Sequence, residues 1–188
     1  MAINRKDFLK KACITGACFC GFGRIAFAGD VENELSARDS EPDPGKLLIQ
    51  GWTANLLANL SSDMEPGKFR NLIRKNAVIH FNELKMNDML KEYIGNPDKF
   101  IDFISEKWGW KIEFDKTAGI LIADENKSYC VCPLVNQAES IGSAVMCNCS
   151  EGFAEKMFSE VFGKPVKAEV ISSVLKGDKS CKYKVTIS

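Results

Sequence analysis

The C-terminal segment 166–187 alternates regularly between apolar and polar side chains. The alternation runs over 166–170, stops at the turn-forming run 176–179, and resumes over 181–187. A period of two places all the apolar side chains of a strand on one face. The pattern therefore predicts a β-hairpin with one buried face, and such a face needs an antiparallel sheet with a second layer to cover it.

The segment from about 46 to 109 has the helical period instead. Apolar side chains recur there at spacings of three and four. Asn96 can cap a helix that begins at Pro97 and ends near Trp108. The N-terminal part of the domain is therefore predicted to be a helical layer. Its tryptophan Trp52 is expected in the core.

After Gly109 the period changes to two, which predicts three strands over 110–114, 120–123 and 129–133. One helix follows them, with Ser150 as its predicted cap and Gly163 just past its end. The predicted fold class is α+β: an N-terminal helical layer, then an antiparallel sheet with one packed helix and a C-terminal β-hairpin.

Residues 1–28 have the organisation of a cleavable signal peptide. Basic residues precede a short apolar stretch, and Ala-Phe-Ala at 26–28 forms the A-x-A cleavage pattern. The stretch of about 11 residues is too short to cross a bilayer. Residues 5–10, Arg-Lys-Asp-Phe-Leu-Lys, resemble a twin-arginine signal with lysine as the second basic residue. The sequence therefore predicts an exported protein, periplasmic or extracellular, without stable membrane insertion after cleavage. A membrane anchor and a lipoprotein are the alternatives.

Residues 29–45 are acidic and poor in large apolar side chains, which predicts a flexible linker before a single α+β domain over 46–188. Cleavage after Ala28 would leave 20 basic and 24 acidic residues, a net charge of −4. The sequence has no basic stripe, and binding of a phosphate backbone requires one. Nucleic acid is therefore not an expected partner.

The predicted domain contains five cysteines, four of them in two C-x-C pairs: Cys130, Cys132, Cys147, Cys149 and Cys181. Residues i and i+2 point to the same face of a strand, so each pair could present two sulfurs to one place. One interpretation is a metal site, most simply zinc held by four thiolates, with iron as the other candidate. Disulfides in an oxidising compartment are the second, and small buried residues without chemistry are the third.

Three motifs in the C-terminal half resemble one known superfamily. They are Tyr-Cys-Val-Cys-Pro at 129–133, Cys-Asn-Cys-Ser-Glu-Gly-Phe at 147–153, and Gly-Asp-x-x-Cys-x-Tyr at 177–183. Together they resemble the 4-vinyl reductase-like small-molecule-binding superfamily, and within it the L-2-amino-thiazoline-4-carboxylic acid hydrolase-like proteins. The resemblance covers roughly residues 110–188. It implies an α+β pocket for a small apolar or aromatic ligand.

The resemblance also implies zinc ligands at Cys181 and Cys147. The zinc-binding sensors of the superfamily carry a Glu and a Cys before the hairpin glycine, where this sequence has Val170 and Ser173. A metal site here would therefore need completion by Cys130, Cys132 or Cys149. No catalytic residue of the hydrolases can be placed on this sequence.

His80 is the single histidine, and it lies on the apolar side of its predicted helix, so a core position is favoured over a general base. His80, Trp108 and Trp110 are the candidate lining of a ligand pocket. The predicted function is an exported domain that binds a metal ion or a small ligand through its cysteines. The alternatives are a hydrolase of a small cyclic C–N substrate, thiazoline-like, and a structural domain stabilised by disulfides.

Overall fold

The structure is a computed structural model that describes residues 43–136 and 144–187. The predicted signal peptide and nearly all of the predicted linker lie outside the described residues. The N-terminal half is helical, in the order α1 Pro44–Asp63, α2 Pro66–Lys75, α3 Ala77–Glu83, α4 Met86–Leu90, a 3-10 turn Lys91–Tyr93, and α5 Pro97–Trp108. The Asn96 side chain accepts a hydrogen bond from the Lys99 amide, which confirms the predicted cap of α5.

The C-terminal half forms a four-stranded antiparallel sheet in the order β1-β2-β4-β3. Its strands are β1 Lys111–Asp115, β2 Ile120–Asp124, β3 Val166–Ser172 and β4 Lys182–Ile187. Helix α6, Cys147–Phe162, separates β2 from β3, and 3-10 turns lie at Ala144–Met146 and Val174–Lys176. In the register, Leu121 faces Val185 across β2 and β4, and Val170 faces Tyr183 across β3 and β4.

The core lies between α6 and one face of the sheet. The innermost side chains come from α6, from β2 to β4, and from α3, α4 and α5: Met157, Phe158, Val161, Leu121, Ala123, Val185, Ala168, Phe81, Leu90, Phe100 and Ile104. Gly152 of α6 lies so close to the end of α2 that a Cβ there would stand 2.2 Å from the Arg74 carbonyl oxygen. The fold class predicted from the sequence is confirmed.

Two predictions for the C-terminal half are wrong. Residues 129–133 are not a strand: β2 already has β1 and β4 on its two edges, and Tyr129 and Val131 are exposed rather than alternating into a core. Helix α6 begins at Cys147, three residues before the predicted cap Ser150, and no side-chain hydrogen bond caps it. Cys147 and Cys149 therefore lie on a helix, where residues i and i+2 point in different directions.

Helix α1 also differs from the prediction. It begins at Pro44, two residues before the predicted domain boundary, and Asp43 caps it by accepting a hydrogen bond from the Gly45 amide. Trp52 is 66% exposed, so its predicted core position is wrong, and Gln50 is the one buried residue of the helix. No helix in the described part of the chain combines the length and the apolar character needed to cross a membrane.

Candidate functional site

Three segments of the chain meet at one end of the sheet. They are the segment 125–136 that follows β2, the first turn of α6, and the segment 173–181 that joins β3 to β4. The Glu125 amide donates to the Cys181 carbonyl at 3.0 Å, which holds the first segment against the third. The register shifts between Val170 and Ser172 as in a β-bulge, and bulges redirect the side chains that follow them. The sequence-predicted cysteines are carried by these same three segments.

The hydroxyl group of Ser173 lies at the centre of this end. Ser173 is fully buried, and its Oγ stands 3.1 Å from the sulfur of Cys147. The same hydroxyl opposes the rise that burial causes in the pKa of the Cys181 thiol. The Ser173 amide donates to Asp178 at 2.8 Å, which fixes the turn before β4. Cys147 and Cys181, which the resemblance implies as zinc ligands, thus both lie near the buried hydroxyl of Ser173.

Cys130 and Cys132 reach the same area from the segment after β2. Burial raises the pKa of the Cys130 thiol to about 12, and negative charge on Cys132, Cys181 or Cys147 raises that pKa further. Burial likewise raises the pKa of Cys132 to about 11, with smaller contributions from Cys149 and Cys147. Because a charge on one sulfur acts on the others, these thiols lie within electrostatic reach of one another. We call Cys130, Cys132, Cys147, Cys181 and Ser173 the thiol region.

The side chain of Gln50 holds the segment that carries Cys130 and Cys132. Its amide nitrogen donates to the Pro133 carbonyl at 2.7 Å and to the Val135 carbonyl at 3.4 Å. The Val135 amide in turn donates to the Cys132 carbonyl at 3.0 Å. A buried glutamine on α1 therefore supplies the hydrogen bonds that a neighbouring strand would otherwise supply.

Cys149 lies against α3. Its sulfur lies 3.6 Å from Nδ1 of His80, and both side chains are half-buried. Burial raises the pKa of Cys149 and lowers the pKa of His80, so the pair is a neutral thiol beside a neutral imidazole near pH 7. A neutral pair of this kind can act as a nucleophile with an adjacent base.

A buried acid–phenol pair borders the thiol region. The Tyr183 hydroxyl donates to Oε1 of Glu125 at 2.5 Å, and Ser150 hydrogen-bonds to Tyr183 as well. Burial raises the pKa of Glu125, and burial together with the Glu125 charge raises the pKa of Tyr183 far above its ordinary value. Charge on Glu125 also raises the pKa values of Cys132 and Cys181. This carboxyl group is thus part of the electrostatic environment of the thiols.

The two tryptophans proposed as pocket lining belong to an aromatic group beside that pair. Trp110 stacks on Tyr183 with ring centroids 6.0 Å apart, and Trp108 meets Trp110 edge-on at 5.4 Å. His80 lies instead against Cys149. A polar cleft of about 540 Å³ opens at the same end of the sheet, between the segment that begins at Asn126 and the turn that contains Asp178.

The five cysteines of residues 43–136 and 144–187 are all free thiols, so no disulfide joins any two of them. Within these ranges no group of three or more His, Cys, Asp or Glu side chains is arranged as a ready-made metal site. Sequence reasoning missed Glu125 and the central position of Ser173. The available signal was a carboxylate placed directly after β2, at the sheet end where the predicted hairpin also puts Cys181.

The fold and site together define a class: an α+β domain whose antiparallel sheet carries free thiols and a buried carboxyl group at one end. The chain belongs to the Family of unknown function (DUF6144), whose model matches residues 45–188. No curated protein matches the sequence. A solved structure of the phenol-responsive sensory domain of the transcription activator PoxR, with phenol, is similar at a TM-score of 0.41. That similarity has 14% sequence identity and covers 72% of this chain and 73% of the other.

Proposed function

We propose that this chain is a ligand-binding domain that takes up one thiophilic metal ion, most simply zinc, at the thiol region. The observation that carries the proposal is the 3.1 Å approach of the Cys147 sulfur to the buried Ser173 hydroxyl, which also acts on the pKa of Cys181. Cys130 and Cys132 would complete a four-sulfur set, and Cys149, which also acts on the pKa of Cys132, is paired with His80 instead. Thiolate sulfur is the ligand that zinc prefers in closed structural sites.

The donor set fits zinc in chemistry, and the sulfurs would have to close on the ion as it binds. Burial makes an uncompensated thiolate costly here, so protons stay on Cys130 and Cys132 until a cation replaces them. When bound, the ion supplies the positive charge that several adjacent thiolates need. Metal affinity should therefore rise steeply with pH, and binding should release protons.

The test is native mass spectrometry with elemental analysis on protein purified without chelator, together with a free-thiol count. We expect about one zinc or iron per chain. Cys147→Ser and Cys181→Ser should lose it. Cys149→Ser should retain it, because that sulfur faces His80, and Asn148→Ala serves as the matched helix control. Absence of metal with at most one free thiol would refute the proposal and indicate a domain stabilised by disulfides.

The contact between Cys149 and His80 favours a second candidate function, hydrolysis of a small cyclic C–N compound such as a thiazoline acid. In this candidate the Cys149 sulfur attacks the ring C=N carbon while His80 accepts the thiol proton. The ring C–S bond then breaks, and the departing ring sulfur takes the proton from His80. Water finally adds to the same carbon and displaces Cys149 as a thiol, which releases a ring-opened urea that carries a free thiol. Incubation with 2-amino-thiazoline-4-carboxylic acid, followed by mass spectrometry, tests it. Turnover should be lost in Cys149→Ser and in His80→Asn and kept in Asn148→Ala. Equal turnover in all three variants would refute it.

A further inference from the structure

Helix α1 presents an apolar stripe to solvent. Its 20 residues span about 30 Å, and Leu48, Ile49 and Trp52 are 72%, 62% and 66% exposed. With Leu56, 37% exposed, these side chains lie within an arc of about 100° on the helix. Gln50, which points into the domain, lies on the opposite side. A stripe of this width is what a helix normally buries against a partner.

The two charges within α1 have an unusual arrangement. Lys46 lies in the first turn and Asp63 is the last residue, so each has the sign that the helix macrodipole disfavours. Neither forms an ion pair with any residue of 43–136 or 144–187. The stretch 47–62 between them is uncharged. Helix α1 therefore has opposite charges near its two ends and none along its length, and the acidic cap Asp43 precedes its first residue.

From this charge pattern we infer that α1 is the surface through which two copies of this chain associate, with the two helices antiparallel. A two-fold axis that passes between Ala54 and Asn55 brings Lys46 of each copy level with Asp63 of the other. Each charge then meets its opposite and also the end of a helix whose dipole favours it. Parallel helices would instead place lysine beside lysine. The leucines, Ile49 and Trp52 become the buried centre of the contact.

The experiment is sedimentation velocity on the full chain over a range of concentrations. Trp52→Glu should raise the dissociation constant of the dimer by about 30-fold or more, because the change puts a charge in the centre of the interface. Ile94→Glu is the matched control, since Ile94 is 56% exposed and lies outside α1, and it should leave the dimer unchanged. The wild-type chain should sediment as a dimer.

Charge reversal tests the antiparallel arrangement itself. Lys46→Asp and Asp63→Lys should each weaken the dimer by about two- to fivefold, and the double variant should restore it. A double variant weaker than either single variant would overturn the antiparallel pairing. A wild-type chain that is monomeric at every concentration would overturn the inference as a whole, and so would α1-dependent binding of a monomer to lipid vesicles.

Discussion

The hydroxyl of Tyr183 and the carboxyl of Glu125 form a 2.5 Å hydrogen bond between two buried side chains. Tyr183 lies on β4 and Glu125 directly follows β2, so the bond joins neighbouring strands where the thiol region begins. Burial raises the pKa of Glu125, and the bond from Tyr183 opposes that rise. The folded protein therefore holds a proton on this carboxyl at a pH where the unfolded chain has released it.

Stability should consequently depend on pH through Glu125. Because the folded-state pKa lies above the ordinary value of 4.5, the free energy of unfolding should fall as pH rises from 4.5 through that raised pKa. Urea denaturation at a series of pH values measures this. The variant Glu125→Gln keeps the shape of the side chain and can still accept a hydrogen bond from Tyr183. Its free energy of unfolding should fall less over the same pH range. Parallel curves for the two proteins would show that burial of this carboxyl has no such effect.

Gly152 should not tolerate a side chain. A Cβ there would stand 2.2 Å from the Arg74 carbonyl oxygen and 3.0 Å from the Cβ of Ala77, so α6 would have to move away from α2 and α3. We expect Gly152→Ala to destabilise the protein by about 2–3 kcal/mol in urea denaturation. Gly51→Ala is the control, because no atom lies within 4 Å of its added Cβ. It should be neutral or stabilise by about 0.5–1 kcal/mol. Similar losses in both variants would contradict the close packing of α6.

The ion pair of Arg70 and Glu151 should contribute far more to the free energy of unfolding than the exposed ion pairs do. Glu151 is 3% exposed and accepts from Nε and Nη2 of Arg70, each at 2.8 Å, and from the Val170 amide at 3.0 Å. Removal of the guanidinium leaves a buried carboxylate with one remaining donor. Arg70→Ala should therefore cost about 2–3 kcal/mol, at the low end for buried pairs because Arg70 is partly exposed.

The control for Arg70→Ala is Lys99→Ala, which breaks the exposed pair between Lys99 and Glu92. It should cost less than about 1 kcal/mol by the same denaturation measurement. Equal costs for the two variants would mean that burial of Glu151 contributes nothing to the difference.

Burial of a thiol should slow its alkylation. Cys130 has a pKa of about 12, so roughly one molecule in 100,000 carries the thiolate at pH 7. In metal-free protein its alkylation by iodoacetamide should be slow, and its rate should rise about tenfold per pH unit up to pH 10. Peptide mapping after timed alkylation gives the rate, and unfolding in urea should make the residue react quickly. A rate that levels off below pH 9 would contradict the raised pKa.

Much of the fold could be predicted because it depends on local pattern. The alternation over 181–187 and the Asn96 cap of α5 are local signals, and both give the observed elements. The strand expected at 129–133 is absent. The preceding strand β2 is already paired on both sides, with β1 and β4, and the segment itself does not encode which strands pair. The solvent-facing position of Trp52 was equally unpredictable. Apolar periodicity shows that a stripe exists without showing which surface covers it.

The sequence singled out the cysteines of the candidate site but not their arrangement, and their role in binding a ligand stays a prediction. The spacing of Cys147 and Cys149 suggested two sulfurs on one face, and that inference depended on a strand. The helix sends one sulfur to Ser173 and the other to His80. Contacts between residues far apart in sequence, such as Gln50 with Pro133, have no local signal at all.

The hydrogen bonds of Gln50 couple any movement of helix α1 to movement of the segment that carries Cys130 and Cys132. Its amide donates to two carbonyls just beyond Cys132, while the solvent-facing side of the same helix turn carries Leu48 and Trp52. A rotation of α1 about its own axis would pull on those carbonyls or break both bonds. A mechanical displacement applied at the outer surface of the domain therefore reaches the backbone of Cys132 through one side chain.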